Sequence, residues 1–358
     1  MSIKNTILIT GGAGYVGSHT CLSLLENGYD LIVIDSFINS SKESLARVLS
    51  FLKPKYKSVS ERISIIEGDI RDEKKLKNIF HYAIQRKKPI EAVIHFAGLK
   101  SVEESTINPL KYWDYNVNGA LTLVRVMKEN SCNKIIFSSS ATIYGFSENS
   151  FLNEESEVAP ENPYGSTKMA IEELLKNFYN SSPGNIRVIN LRYFNPIGAH
   201  CSGIIGEDCK GEPRNIFPYL TKVASGKLDK LKVYGGDWPT KDGTGIRDYI
   251  HVMDLAEGHI RALEYILREK ATFLNLNLGT GKGFSVFELI RTFEKTNNIK
   301  IPFVIVKRRK GDLAYVVADN KKAIKYLNWE PKRSLAEMCK DGWRWQSLNP
   351  NGFKNSRL

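Results

Sequence analysis

The stretch Thr10-Gly11-Gly12-Ala13-Gly14-Tyr15-Val16-Gly17 decides the fold of this chain. It follows a short apolar run at 7–9 and opens a helical pattern that Asn27-Gly28 ends. A second apolar run, 31–34, ends in Asp35. A strand, a glycine turn, a helix and a second strand ending in an acid together predict a dinucleotide-binding unit. The glycines let the backbone approach a pyrophosphate, and the helix N-terminus supplies amide donors.

The details of this unit favour one cofactor. Its glycines are spaced one residue wider than in the commoner fingerprint, which points to the short-chain dehydrogenase branch. A carboxylate at Asp35 would accept hydrogen bonds from the adenosine ribose and repel a 2′-phosphate, with no arginine close after it. We therefore predict NAD rather than NADP, the alternative for Asp35 being an ordinary acid at a strand end. The cofactor-binding residues predicted from the unit are Gly11, Gly14, Tyr15, Val16, Gly17 and Asp35.

Two later strand ends extend the predicted cofactor site. Asp69, in Gly68-Asp69-Ile70, follows the apolar run 63–66 and is placed to meet the adenine edge. His95-Phe96-Ala97-Gly98 follows the next apolar run, where the dinucleotide should cross the sheet.

Strands and helices alternate up to about Phe194, which predicts an α/β fold with a Rossmann-type, doubly wound parallel sheet. We expect an NAD-binding domain at 1–195 with a returning segment near 244–278, and a smaller mixed α/β substrate domain at 196–358. Residues 196–245 are rich in Gly, Pro and charged side chains, which predicts loops rather than a second packed sheet. The predicted strands start near Ile7, Leu31, Ile63, Ala92, Lys134, Arg187 and Ala271.

Tyr164 and Lys168, in Tyr-Gly-Ser-Thr-Lys, are the candidate acid–base pair. The run 167–179 is helical in pattern, so residues four apart share a face, and a neighbouring ammonium favours the phenolate form of a tyrosine. Taken alone, the spacing is equally typical of a solvated helix face.

Composition limits the class of protein. The 358 residues are enough for about two domains. No apolar run approaches the ~20 residues of a membrane span, and a cytoplasmic location is expected. The five cysteines are scattered, so we expect free thiols, and the histidines form no metal-binding motif, so no metal is expected.

The net charge of +12 raises nucleic-acid binding as an alternative function, with phosphate contacts at 308–310 and Lys321-Lys322. The excess positive charge is, however, spread thinly along the chain, and a basic cleft also suits polyanionic small molecules.

With these pieces placed, the chain resembles the UDP-glucose 4-epimerase family of extended short-chain dehydrogenases/reductases over nearly its whole length. The stretches that carry the resemblance are 10–17, 96–100, 137–145, 164–168, 191–196, 247–252 and 309–312.

This resemblance implies an isomerase that interconverts UDP-glucose and UDP-galactose. Tyr164 is the expected base for the sugar 4-hydroxyl, and Lys168 is expected to hold the nicotinamide ribose and lower the pKa of the phenol. Ser140 is expected to hydrogen-bond the same sugar oxygen and relay its proton, with Thr142 as a nearby helper. Hydride leaves C4 for NAD, the 4-keto sugar turns over, and the hydride returns. The further cofactor residues implied are Ile70, Lys100, Ser140, Tyr164, Lys168 and Phe194.

The resemblance also implies how the UDP-sugar is held. Arg247 and Arg309 should grip the diphosphate, and Asp312 should accept from the uridine ribose. The other substrate contacts implied are Ser140, Tyr164, Asn195, Asn215, Ile216, Lys232, Tyr234 and Val316. A homodimer through the helices near 108–128 and 167–179 is expected, with no nucleic-acid or membrane partner.

Three alternatives stay open. A 4,6-dehydratase would need an acid pair where this chain has Ala141-Thr142-Ile143, which argues against it. A sugar-acid decarboxylase or epimerase would need a cationic clamp near the sugar, and an NAD-sensing regulator typically lacks the tyrosine or the lysine. Val316, or Tyr315 if the alignment is off by one, stands where a bulky aromatic closes the sugar pocket in some members, so N-acetylated UDP-sugars are also candidate substrates.

Overall fold

The computed structural model describes residues 5–145, 151–182, 184–211, 213, 215–309 and 311–354. Lys310, which the sequence places in a basic run, lies outside the described residues.

The strands and helices alternate through the first half of the chain and become shorter and irregular in the second. The strands are β1 (Thr6–Thr10), β2 (Asp30–Asp35), β3 (Ile63–Glu67), β4 (Ile90–His95), β5 (Lys134–Ser140), β6 (Arg187–Tyr193), β7 (Asn195–Ile197), β8 (Leu231–Tyr234), β9 (Ile246–Arg247), β10 (Tyr249–His251), β11 (Thr272–Leu278), β12 (Phe284–Ser285), β13 (Phe303–Val306) and β14 (Tyr315–Val316). The helices are α1 (Tyr15–Glu26), α2 (Lys42–Leu52), α3 (Glu73–Gln85), α4 (Val102–Ile107), α5 (Pro109–Tyr112), α6 (Gly119–Glu129), α7 (Pro163–Asn180), α8 (Ile216–Ala224), α9 (Val252–Arg268), α10 (Val286–Asn297), α11 (Lys321–Leu327) and α12 (Leu335–Leu348). Shorter turns of 3₁₀ or π geometry occupy Val59–Arg62, Trp113–Asn118 and Ala141–Ile143.

The main sheet runs in the order β11-β6-β5-β4-β1-β2-β3, and all neighbouring strands are parallel. Each predicted strand start lies in or next to one of these strands, including the returning strand β11. One face is covered by α1, α2 and α9 through residues such as Leu22, Leu45 and Leu263. The other is covered by α3, α6 and α7, for example through Leu76 and Leu175. The predicted Rossmann-type, doubly wound sheet is therefore confirmed.

The second half of the chain has its own core and small sheets. β7 pairs with β10, β9 lies between β12 and β14, and β8 pairs with β13. Phe217, Tyr249, Phe293 and Met338 are buried together between these elements. The prediction of loops over 196–245 was therefore wrong in part, since α8 and β8 lie within it. Their apolar residues bury against α10 and α12, and the Gly, Pro and charged residues around these two short elements hide them in the composition of the whole segment. The domain boundary near 195 stays a prediction.

Two of the basic residues predicted as alternative nucleic-acid contacts form ion pairs with acidic side chains. The Arg308 guanidinium lies 2.8 Å from Asp237, and the Lys322 ammonium lies 3.7 Å from Glu155. All five cysteines are free thiols. Among the described residues, none of the helices is long and apolar enough to cross a bilayer, and no group of His, Cys, Asp and Glu has the arrangement of a metal site.

Candidate active site

The glycine turn between β1 and α1 forms a cradle that side chains would fill. Gly11 has φ of +72°, and a Cβ there would lie 2.6 Å from the backbone nitrogen of Ala97. A Cβ on Gly17 would lie 2.5 Å from the carbonyl oxygen of Gly11. Helix α1 begins at Tyr15 and has no acidic side chain in its first turn to compete for its amides. The geometry fits a pyrophosphate at the helix N-terminus, as the sequence predicts.

Asp35 is fixed at the end of β2, facing this turn. Its Oδ2 accepts the N–H of Ala13 at 2.9 Å. Its Oδ1 accepts the N–H of Phe37 at 2.9 Å and the hydroxyl of Ser40 at 2.7 Å. A carboxylate has about four acceptor sites, so capacity is left for a ribose hydroxyl. The residue is therefore pre-oriented for the role predicted for it.

Asp69 has a partner that the sequence did not indicate. Both carboxylate oxygens contact the guanidinium of Arg71, at 3.0 Å and 2.7 Å, and this pairing holds the pKa of Asp69 below its usual range. The same guanidinium lies 3.6 Å from the ring centroid of Tyr115. Ile70 is buried, and a side chain at Gly119 would collide with it. The contact of Asp69 with adenine stays a prediction.

The segment after β4 runs beside the glycine turn. The N–H of Phe96 donates to the carbonyl of Thr10 at 2.9 Å, and the N–H of Ala97 donates to the Thr10 hydroxyl at 3.3 Å. The Lys100 ammonium lies 3.0 Å from Glu207, whose charge raises the pKa of Lys100. The other predicted cofactor residues that lie at strand ends on this edge of the sheet are Gly98 after β4, Ser140 at the end of β5 and Phe194 after β6.

Helix α7 carries the tyrosine–lysine pair and begins earlier than the pattern predicts. Pro163 occupies the first turn, and the side chain of Asn162 accepts the N–H of Gly165 at 2.9 Å. A proline with fixed φ and an asparagine cap are typical of a helix start. Tyr164 therefore lies in the first turn with Lys168 one turn later, so the predicted shared face is present.

The electrostatics of Tyr164 include a cation that the sequence did not indicate. Burial raises the pKa of Tyr164, and both a hydrogen bond with Ser140 and the positive charge of Lys100 oppose that rise. Lys100 lies on a different element from the tyrosine. The role of Lys168 in lowering the pKa of the phenol stays a prediction.

Lys168 is buried against the end of β5. Its ammonium donates to the carbonyl of Ser138 at 2.7 Å, lies 4.8 Å from the ring centroid of Phe137, and is 5.8 Å from that of Tyr164. Burial lowers the pKa of Lys168 to about 7, with Glu172 opposing the change. The side chain therefore lies between the end of β5 and the ring of Tyr164.

Ser140 and Thr142 form a hydroxyl pair beside Tyr164. Ser140 Oγ lies 2.9 Å from Thr142 Oγ1 and accepts the N–H of Thr142 at 3.2 Å. The pair lies where β5 passes into the 3₁₀ turn Ala141–Ile143. Ala141 and Ile143 bring no acid to this turn. The arrangement can bind and exchange the proton of a substrate hydroxyl.

A buried ion pair lies behind the pair on α7. Glu172 accepts from Arg192 through both carboxylate oxygens, at 3.0 Å and 2.7 Å, and from the Ser139 hydroxyl at 2.5 Å. Arg192 also donates to the hydroxyl of Tyr144 at 2.9 Å. Because Arg192 lies on β6, this network ties α7 to two strands and fixes the face that carries Lys168.

The predicted diphosphate and ribose anchors contact one another. The guanidinium of Arg247 pairs with Asp312 and donates to the carbonyl of Leu313 at 2.8 Å. The Arg309 guanidinium lies 3.8 Å from the ring centroid of Tyr234. These residues, which are far apart in sequence, therefore form one basic and aromatic surface.

The remaining predicted substrate residues are spread around this surface. Asn195 donates through its side chain to the carbonyl of Asp248 at 3.3 Å, and Val316 packs against a cluster that includes Ile143 and Phe194. Tyr315, the alternative to Val316, is 38% exposed and is absent from that cluster. Three others lie on the elements α8 and β8: Asn215 just before α8, Ile216 at its start, and Lys232 exposed on β8.

Asp248 lies in the stretch 247–252 but is not among the residues predicted from sequence. It is buried and accepts hydrogen bonds from the N–H groups of Thr280, Gly281 and Ala318. Burial raises the pKa of Asp248 to about 6, and these hydrogen bonds oppose that rise. These hydrogen bonds connect the segments at 280–281 and 318 to the residue that follows Arg247, so Asp248 has a positioning role. The local sequence does not indicate these distant partners.

Known proteins resemble the chain over its full length. The model of the GDP-mannose 4,6 dehydratase family matches residues 8–342. A UDP-glucose 4-epimerase of Bacillus subtilis (strain 168) is 48% identical over 350 residues, which cover 98% of this chain and 99% of the relative.

Two solved structures have the same architecture. A UDP-glucose 4-epimerase from Stenotrophomonas maltophila, with bound NAD and formylated UDP-arabinopyranose, gives a TM-score of 0.90 at 40% identity, covering 97% of this chain and 99% of that one. A UDP-glucose 4-epimerase from Bifidobacterium longum, in complex with NAD+ and UDP, gives 0.89 at 43% identity, covering 97% and 100%. With these matches and with the glycine cradle, the hydroxyl pair and the tyrosine–lysine helix in place, the chain belongs to the UDP-glucose 4-epimerase family of extended short-chain dehydrogenases/reductases.

Proposed function

We propose that this chain interconverts UDP-glucose and UDP-galactose, with NAD as its cofactor. The observation that carries the proposal is the meeting of the Ser140, Thr142 and Tyr164 hydroxyls at the end of β5, with no acid at 141 or 143. The glycine cradle and Asp35 lie on the same edge of the sheet and suit NAD. The family membership agrees with this activity.

Bound NAD supplies a hydride acceptor and, later, a hydride donor, so the reaction is redox-neutral. Tyr164 removes the proton of the sugar 4-hydroxyl and later returns it. Ser140 hydrogen-bonds the same sugar oxygen and relays its proton, and Thr142 holds Ser140 in place. Lys168 holds the nicotinamide ribose. Between the two transfers, the 4-keto sugar turns its other face to the cofactor.

The UDP group is held on the surface formed by Arg247, Arg309 and Tyr234. The planar guanidinium groups suit paired phosphate oxygens, because two parallel N–H donors match them. Arg247 is already oriented by the carbonyl of Leu313, and Asp312 lies beside it as the acceptor for the uridine ribose. The two predicted anchors therefore already lie next to each other.

The main rival is a nucleotide-sugar 4,6-dehydratase, which shares the fold and the tyrosine–lysine pair. Eliminating water requires an additional acid and base next to the sugar. In this chain, that position holds the methyl group of Ala141 and the buried side chain of Ile143. The geometry therefore favours epimerisation.

Incubating the purified protein with UDP-galactose and no added NAD tests the proposal. UDP-glucose should form, while a 4-keto-6-deoxy product from UDP-glucose would replace the epimerase assignment with the dehydratase. Tyr164→Phe should retain NAD but lose turnover by about 10²–10⁴-fold, the usual contribution of a general base. A Tyr265→Phe variant, altered on α9 away from the hydroxyl pair, is the matched control and should turn over normally.

We also propose that the enzyme accepts N-acetylated UDP-hexosamines. Val316 packs beside Ile143 and Phe194 next to the hydroxyl pair, so a small side chain lines this part of the site. UDP-N-acetylgalactosamine should be epimerised, and Val316→Tyr should reduce that rate much more than the rate with UDP-galactose. No turnover of the N-acetylated sugar, while UDP-galactose reacts fast, would remove this proposal.

We also propose that the protein forms a homodimer. Ile107 and Leu110, at the end of α4 and in α5, are 68% and 82% exposed, and Trp113 is exposed beside them. This apolar face lies at the predicted dimer helices near 108–128. Burying it against a second copy would remove its exposed apolar side chains from water. The cytoplasmic location and the lack of nucleic-acid partners stay predictions from sequence.

A further inference from the structure

Residues 198–211, which we call the strap, leave the second half of the chain and cross to the first. Near one end, the Lys210 ammonium donates to the carbonyl of Phe37 at 2.8 Å and of Ile38 at 2.9 Å. These carbonyls belong to the loop after β2, next to Asp35. The strap therefore reaches the side of the crevice where the adenosine ribose is expected.

The strap also contacts the segments that follow β1 and β4. Glu207 pairs with the Lys100 ammonium at 3.0 Å, and the Tyr15 hydroxyl donates to the carbonyl of Gly198 at 2.7 Å. A dinucleotide on this fold lies across the carboxyl ends of these strands. Since the strap touches the loops after β1, β2 and β4, it crosses the mouth of the crevice.

The loop under Lys210 has an uncommon backbone conformation. Phe37 has φ of +54°, which is rare for a bulky residue. Its N–H donates to Asp35 while its carbonyl accepts from Lys210. The same residue therefore links the ribose-binding carboxylate to the strap.

The C-terminal segment fixes the strap from its outer side. The Trp345 indole donates to the carbonyl of Glu207 at 3.2 Å, and the N–H of Phe353 donates to Asp208 at 2.9 Å. Arg47, a buried residue of α2, donates to the carbonyl of Ile204 at 3.2 Å. The strap is thus held as a formed structure, and the contacts at Lys100 and Lys210 are the ones that tie it to the segments after β4 and β2.

We propose that the strap retains the dinucleotide, with Lys210 and Glu207 as positioning residues that keep it across the crevice between turnovers. The inference rests on the proposed NAD-dependent function. Because the reaction is redox-neutral, NAD does not have to leave the enzyme between turnovers. Contacts that slow the release of NAD therefore do not slow turnover. Dissociation requires the strap to move from the crevice, and the two lysine contacts oppose that movement.

The test measures cofactor release directly. The holoenzyme is loaded with isotopically labelled NAD, challenged with excess unlabelled NAD, and the retained label is followed with time. Lys210→Met should release label about tenfold faster than wild type, because a hydrogen bond to a charged group is lost. Lys210→Arg should restore slow release, since its guanidinium also donates to both carbonyls. Glu207→Gln should release faster than wild type because it weakens the ion pair with Lys100.

Lys321→Met is the matched control. Lys321, on α11, lies 3.2 Å from Asp319, and neither residue belongs to the strap or to the loops that it contacts. Its release rate should equal that of wild type. Equal release from wild type, Lys210→Met and Glu207→Gln would overturn the strap proposal while leaving the proposed function intact. Wild-type protein that neither carries nor binds NAD would instead overturn the proposed function, and the strap proposal with it.

Discussion

At the scale of single residues, the spacing of Tyr164 and Lys168 predicted the shared helix face that α7 shows. Lys168 is buried against the carbonyl of Ser138, and burial lowers its pKa to about 7. The positive charge of Lys100, in the segment after β4, opposes the rise that burial causes in the pKa of the phenol. A residue outside the motif of Tyr164 therefore contributes to the pKa of the base.

Lys100→Met should therefore change the pH dependence of turnover. The base must be deprotonated, so the rate rises with pH through the pKa of Tyr164. Removing a positive charge that lowers this pKa moves the acidic limb of the kcat profile to higher pH, by on the order of one unit. The measurement is kcat against pH at saturating UDP-galactose and NAD. Lys111→Met, which removes an exposed lysine paired with Glu104, is the control and should leave the limb in place. An unmoved limb in Lys100→Met would show that its charge does not act on the base.

At the scale of elements, the position of α7 depends on the buried pair between Glu172 and Arg192. Sequence showed a helix and a strand but not the charge pair between them, because the two residues come together only when α7 packs on β6. Leaving one buried charge without its partner is far more costly than breaking an exposed pair.

Glu172→Gln should lower the free energy of unfolding by about 3 kcal/mol, since it leaves the buried Arg192 without a counter-charge. Urea unfolding followed by circular dichroism measures the loss. Glu73→Gln, which breaks the exposed pairs with Lys77 on α3 and Arg125 on α6, should cost no more than ~1 kcal/mol. Combining Glu172→Met with Arg192→Met should recover part of the stability. If Glu172→Gln and Glu73→Gln lowered the free energy of unfolding by a similar small amount, the buried pair would not be what holds α7.

At the scale of the whole molecule, the apolar face around α5 is a surface that the described part of the monomer leaves uncovered. Leu110→Asp should convert the proposed dimer to a monomer, because a charge at the centre of an apolar interface is desolvated without a partner. Sedimentation velocity over a range of protein concentrations measures the change. Leu348→Asp, at a leucine on α12 that is 62% exposed, should leave the mass unchanged. A wild-type protein that sediments as a monomer would contradict the dimer.

The sequence alone determined the features that lie within short stretches of chain. The glycine turn, the strand and Asp35 fall within a few tens of residues, and their chemistry follows from local backbone geometry. The alternation of strands and helices likewise predicted the sheet, and Tyr164 with Lys168 needed only one helical turn.

Only the tertiary structure decided which distant residues act on these motifs. Glu207 lies 107 residues after Lys100, and Lys210 lies 173 residues after Phe37. Asp248 finds its hydrogen-bond partners at Thr280 and Ala318. The sequence predicted loops where the strap lies. The strap is held by side chains that contact carbonyl groups and charged groups across the crevice, and it has no regular pattern of apolar residues. Such contacts leave no periodicity in the chain, because they form between surfaces that meet only once the sheet and the second core have packed together.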